Sequence, residues 1–156
     1  MIKLLKSFYY AFRGIFTAIL SERNMRIHIV VMAYMYFFLF CFDFFTITKT
    51  ELAIIFLANA LVIGGELINT AIESAVDLYS KEYSEKAKIA KDCAAGAVLV
   101  FAIFSVLVGV VIMWQPLAFQ LLFEFFSDTP LAIGYFVLSL IIFIAFIFYD
   151  FNKETE

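Results

Sequence analysis

Apolar residues run through this chain in blocks long enough to cross a bilayer, and the breaks between blocks define its elements. Residues 27–45 form one block, followed by the short polar break Thr46-Ile47-Thr48-Lys49-Thr50. A second block starts near Glu51 and runs to about Asp77, a third covers 94–114 and a fourth 131–149. About 20 apolar residues suffice to cross a hydrocarbon core of ~30 Å, so the pattern predicts four spans. Between the third and fourth, residues 117–129 are aromatic and apolar but carry Glu124 and Asp128, which predicts a short interfacial segment. Trp114 followed by Pro116 reads as an interfacial anchor and a helix stop. Residues 1–24 differ from the rest. Lys3, Lys6, Arg13 and Arg23 are interleaved with Leu4, Leu5, Phe8, Phe12, Ile15, Phe16 and Ile19, the pattern of an amphipathic helix lying in the membrane surface. Residues 78–91 are polar and charged and read as a loop.

Composition agrees with this pattern. The chain is 65% hydrophobic and 16% charged, where soluble domains hold about 45–50% and about 25%. An all-α integral membrane protein is the expected class, and 156 residues leave no room for a separate soluble domain beside the spans. The expected division is a membrane domain over 1–115 and a C-terminal extension over 116–156. Lys3, Lys6, Arg13, Arg23 and Arg26 precede the first span, Lys81, Lys86, Lys88 and Lys91 follow the second, and Lys153 follows the fourth. Basic residues favour the cytoplasmic side, which places the N-terminus, the 78–91 segment and the C-terminus there. The net charge of −3 comes with no basic, aromatic-interleaved patch, so no nucleic-acid partner is expected.

One stretch interrupts the apolar pattern in an ordered way. Glu66, Asn69, Glu73 and Asp77 fall near the end of the second span. At ~100° per residue they occupy a sector of about 80° on one helix face. Carboxylates near a bilayer are expensive, and their default reading is a functional site. Carboxylates and lysines at one membrane face suit phosphoryl transfer, which needs a divalent cation on the phosphates, cationic groups on developing charge and a group that positions or deprotonates the nucleophile. Mg²⁺ is typically held by one or two carboxylates plus substrate phosphates. Glu22, just before the first span, forms a plausible cation pair with Glu73. Glu66 lies deeper by about 10 Å, where it could meet a lipid hydroxyl and act as a general base. No Walker-type or kinase glycine loop is present, and His28 is the sole histidine, so no Ser-His-Asp triad is available. His28 is read as a packing residue, Asn59 as an interhelical hydrogen-bonding group, and Gly96 and Gly109 as places of close helix approach.

Several short runs carry a further signal: Ser7-Phe8-Tyr9-Tyr10-Ala11-Phe12-Arg13-Gly14, Glu22-Arg23-Asn24-Met25-Arg26-Ile27-His28, Glu66-Leu67-Ile68-Asn69-Thr70-Ala71-Ile72-Glu73 with Val76-Asp77, Glu82-Tyr83, and Ala87-Lys88-Ile89-Ala90-Lys91-Asp92 with Ala94-Ala95-Gly96-Ala97-Val98-Leu99. In content, order and spacing the chain resembles the prokaryotic diacylglycerol kinase / undecaprenol kinase family of small integral-membrane lipid kinases, over roughly residues 6–113. The resemblance implies a homotrimer with a surface helix and three spans per subunit, active sites at subunit boundaries, and MgATP as phosphoryl donor to a lipid alcohol. Carried over by position, Glu66 resembles the catalytic base, with Asn69 and Asp77 as essential polar partners. Glu22 and Glu73 resemble the magnesium-coordinating pair. Lys91, Asp92, Lys3, Tyr10, Glu82, Tyr83 and Ser84 fall where the family contacts the nucleotide. His28 stands where diacylglycerol-specific members can carry Glu, and the Glu22–His28 run looks like the branch that prefers undecaprenol. Undecaprenol is therefore the expected acceptor, with diacylglycerol as the alternative, in the bacterial inner membrane. Residues 116–156 lie outside the resemblance. A rival of another class is an ion or proton conduit using the same carboxylates as a relay. The clustering of polar groups at one end of the second span disfavours it.

Overall fold

The computed structural model of the chain describes residues 2–79 and 83–151, with only the backbone at Ile2. Among these residues the fold is six α-helices: α1 Ile2–Ser21, α2 Arg23–Cys41, α3 Lys49–Tyr79, α4 Glu85–Met113, α5 Pro116–Asp128 and α6 Pro130–Phe148. The chain is an all-α integral membrane protein. Helices α2, α3, α4 and α6 are long and apolar enough to cross a membrane. Helix α1 carries the interleaved basic and apolar residues of the first 21 positions and packs against both α2 and α3.

Two boundaries differ from the sequence expectation. Helix α2 ends at Cys41, four residues early, because Phe42, Phe44 and Phe45 turn away to pack on α5. Helix α4 starts at Glu85, so the latter half of the expected 78–91 loop is helical. Glu, Lys and Ala are strong helix formers, and the Ser84 hydroxyl accepts a hydrogen bond from the Ala87 N–H at the N-cap. At ~1.5 Å per residue, α3 and α4 are each longer than 40 Å and outreach a ~30 Å hydrocarbon core. Their polar ends therefore project together as a hairpin.

Helices α3 and α4 make the most extensive pairing in the chain. Gly65 lies directly against this partner helix: a Cβ there would stand 2.8 Å from Cδ2 of Phe101. Gly65→Val is expected to force the Phe101 ring aside and destabilise the helix pair by about 1–3 kcal/mol, readable as a lower melting temperature in detergent. Within one chain Gly96 and Gly109 make no such contact, since a Cβ at either would meet nothing within 4 Å. Asn59 does act between helices. Its Nδ2 donates to the Tyr36 hydroxyl of α2 at 2.7 Å, and its Oδ1 accepts from Ser105 of α4 at 3.5 Å.

The end of the bundle away from Glu66 is closed by Leu39, Phe45, Ile55, Ile112 and Ala118. Thr48 and Glu51 start α3 with a capping box: the Thr48 N–H and hydroxyl both donate to Glu51 Oε2 at 2.7 Å, and the Glu51 N–H donates to Thr48 Oγ1. Gln115 ties the α2–α3 and α4–α5 connections together, accepting from the Thr46 N–H and donating to the Thr46 and Ile112 carbonyls. Helix α6 lies on the outer side of α2, where the Tyr34 ring meets Phe136 and Phe143 edge-on and its hydroxyl bonds Ser139 at 2.8 Å.

Candidate active site

The polar stripe of α3 divides into a buried half and an exposed half. Glu66 is 1% exposed and Asn69 is 7% exposed, while Glu73 is half-buried and Asp77 exposed. The buried half opens into a cavity of about 290 Å³ lined by Glu22, Asn24, His28, Glu66, Asn69 and Glu73, with Ala95, Val98 and Leu99 of α4 as its apolar wall. Three elements build it. Glu22 is the single non-helical residue between α1 and α2, with φ −101° and ψ 115°. Asn24 and His28, four apart on α2, share a face one turn further along. Glu66, Asn69 and Glu73 arrive from α3.

The contacts within the cavity are incomplete in an informative way. Asn69 Nδ2 donates to Glu73 Oε1 at 3.0 Å, yet Asn69 Oδ1 is buried with no hydrogen-bond partner. Glu66 Oε1 is 3.3 Å from His28 Nε2. The ring is close without being aligned for a hydrogen bond, so Oε1 is also buried without one. Buried polar atoms in folded proteins are nearly always satisfied, and exceptions mark places where something binds. Two such acceptors one helical turn apart, on residues that line one small cavity, can be met by water or by another donor from outside the chain.

The exposed half forms a second concavity of about 340 Å³ between the projecting ends of α3 and α4. Asp77, Tyr83, Ser84, Lys91 and Asp92 line it, joined by Lys88. Lys91 Nζ donates to both carboxylate oxygens of Asp77, at 2.9 and 3.1 Å, linking the exposed ends of α3 and α4. The positions expected at one site thus fall into two adjoining clusters on one stripe of α3. Tyr10 is elsewhere: it is exposed and lines a groove between α1 and α3 with Arg13, Thr17, Leu67 and Thr70. Lys3 is exposed on the first turn of α1, and the structure brings it to neither cluster. Glu82 lies outside the described residues.

The structure adds three residues to the clusters. His28 contacts Glu66 itself, where the sequence reading treated it as packing. Asn24 joins it through the i, i+4 spacing of the Glu22–His28 run, and Lys88 faces the groove one turn from Lys91. Those spacings are legible in the sequence, but a lone histidine on an apolar helix gives no sign of which neighbour it will meet.

Three carboxylates line this cavity, Glu22, Glu66 and Glu73, and the first and last of them are the pair expected to hold a cation. Among the described residues no group of three or more His, Cys, Asp or Glu could hold a metal ion. Two carboxylates alone would leave most of the coordination shell of a Mg²⁺ ion to substrate phosphates and water.

Comparison with known proteins matches residues 9–113 to the family described as prokaryotic diacylglycerol kinase. The chain is 43% identical over 115 residues to a diacylglycerol kinase of Synechocystis sp., covering 73% of this chain and 64% of that protein. It is 40% identical over 115 residues to the undecaprenol kinase of Bacillus subtilis, covering 74% of this chain and 91% of the relative. It is 28% identical over 113 residues to the diacylglycerol kinase of Escherichia coli, covering 72% and 90%. The matched region ends where α4 ends, so α5 and α6 lie outside it. With two thirds of its length matched, and with the helices of that region assembling the polar clusters described above, the chain belongs to the prokaryotic diacylglycerol kinase family.

Proposed function

We propose that this lipid kinase moves the γ-phosphoryl group of ATP to the hydroxyl of a bilayer lipid alcohol, with undecaprenol as acceptor. The observation that carries the reading is the buried Glu66 carboxylate, with an oxygen lacking a hydrogen bond, in a cavity shared with Glu22, Asn69 and Glu73. The lipid hydroxyl donates its proton to Glu66 while its oxygen attacks the γ-phosphorus. The bond to the β–γ bridging oxygen breaks in line, and ADP leaves. His28 restrains the Glu66 carboxylate from the α2 side, and Asn69 holds Glu73 against the cavity wall. Glu22 and Glu73 would hold Mg²⁺, which when bound neutralises phosphate charge. Lys91 turns from Asp77 to the phosphates, and Tyr83, Ser84 and Asp92 border the nucleotide beside it.

Oligomer and location follow the same reading. The homotrimer is the assembly that the family resemblance implies, and the faces of α4 that one chain leaves exposed are free to meet a neighbouring subunit or lipid. The basic residues of α1 and of the first turns of α4 suit a cytoplasmic site in the inner membrane, where ATP is available.

The relatives carry both acceptor names, and undecaprenol is favoured by the form of the Glu22–His28 run. The test is transfer from labelled MgATP by purified protein in micelles, with undecaprenol and diacylglycerol offered separately. Faster labelling of undecaprenol is expected. Faster labelling of diacylglycerol would make phosphatidic acid the product, and labelling of neither by folded protein would remove the kinase reading.

A further inference from the structure

Arg26 is 5% exposed, the one buried charged residue of α2, and a buried charge without compensation is strongly destabilising. Its guanidinium is compensated by main-chain carbonyls of two other helices. Nη1 donates to Ile19 O at 3.2 Å and to Leu20 O at 2.6 Å, both in the last turn of α1. Nε donates to Ile147 O at 3.1 Å, in the last turn of α6. Last-turn carbonyls lack intrahelical partners and sit at the negative end of the helix dipole, so one guanidinium caps two C-termini at once. The Phe151 ring covers it, with centroid 5.4 Å from Cζ, and Phe148 covers Arg23 in the same way at 5.9 Å.

These contacts meet at a mechanically sensitive point. Helices α1 and α2 are separated by Glu22 alone, so the angle between them sets where the Glu22 carboxylate stands. Arg26, one turn into α2, grips the end of α1 across that bend and is itself gripped by α6. We propose that Arg26 and the end of α6 form a brace that positions Glu22 for its cation, so that a helix outside the family match acts on the site in cis. The inference rests on the reading of Glu22 as a cation ligand. Arg26 touches neither substrate in this account and is a positioning residue.

The test uses full-length protein in detergent and reads cation binding directly, by electron paramagnetic resonance of Mn²⁺ in the presence of a non-hydrolysable ATP analogue. Phe151→Ala uncovers the brace from the α6 side without touching the cavity. Arg26→Lys keeps the charge but loses the planar fork that reaches both helix ends. Each is combined with Glu22→Gln in a double-mutant cycle, and thermal melting establishes which proteins are folded. Each brace variant is expected to weaken Mn²⁺ binding by about three- to tenfold when Glu22 is present, and to have no further effect in the Glu22→Gln background. Unchanged Mn²⁺ binding in folded Phe151→Ala and Arg26→Lys, or equal weakening with and without Glu22, would overturn the brace. If Glu22→Gln alone left Mn²⁺ binding intact, the assignment of Glu22 itself would fall and the brace with it, a pattern distinct from the other two.

Discussion

Glu66→Gln is expected to lower kcat by about 10²–10⁴-fold, the range for loss of a positioned general base. The KM for MgATP should change little. Glutamine keeps the volume and polarity of the side chain, so the cavity between α2, α3 and α4 stays filled. What it loses is the ability to take a proton from a lipid hydroxyl. Glu66 is 1% exposed, and among the described residues lining its cavity only Glu22 and Glu73, the proposed cation pair, are further carboxylates. Single-turnover transfer from labelled MgATP, with substrate saturating, separates this loss from slow product release. A variant that retained wild-type kcat would move the base elsewhere, and the proposed mechanism would fail at its first step.

Lys91→Met should have the second-largest effect, a fall of about 10²–10³-fold in kcat/KM for MgATP, as for removal of one charge-stabilising donor from a transition state. Lys91 is bonded to both oxygens of Asp77, so a structural account of any loss must be considered. An exposed ion pair contributes little to stability. The melting temperature of Lys91→Met should therefore stay close to wild type while activity collapses. Asp77→Asn is the discriminating partner. It removes the same ion pair but leaves the lysine charge, so equal losses in the two variants would assign the effect to the pair, and a much smaller loss in Asp77→Asn would assign it to Lys91 on phosphate.

The parts of the site that were legible in the sequence are those carried by one helix. Glu66, Asn69, Glu73 and Asp77 share a face by arithmetic, and the structure places all four along one stripe. Glu22 was recognisable because a carboxylate at the edge of a span has few bland uses. The contact of His28 with Glu66 was not legible, since it depends on how α2 rotates against α3. Residues 85–91 read as a loop because their charges break the apolar pattern. Helical continuity does not require an apolar face where a helix projects into water, and Ser84 starts the helix there. The Thr48–Glu51 capping box is legible in the sequence as a Thr-x-x-Glu motif at the start of an apolar run. The seat of α6 had no sequence signal. It is set by aromatic rings on α2, α5 and α6, which pack by edge-to-face geometry rather than by any repeat.

The bond from Arg26 to the Ile147 carbonyl has a consequence for the two ends of the polypeptide. It joins the beginning of the first crossing to the finish of the last, so the number of crossings between them is even. A polypeptide stopping after α4 makes an odd number and releases its C-terminus on the opposite side of the bilayer from Glu22. Here the added crossing returns it to the same side. A fluorescent or enzymatic reporter fused after Glu156 would thus share its compartment with Glu22 and the groove between α3 and α4, and a partner domain attached there could reach that face without passing through the membrane.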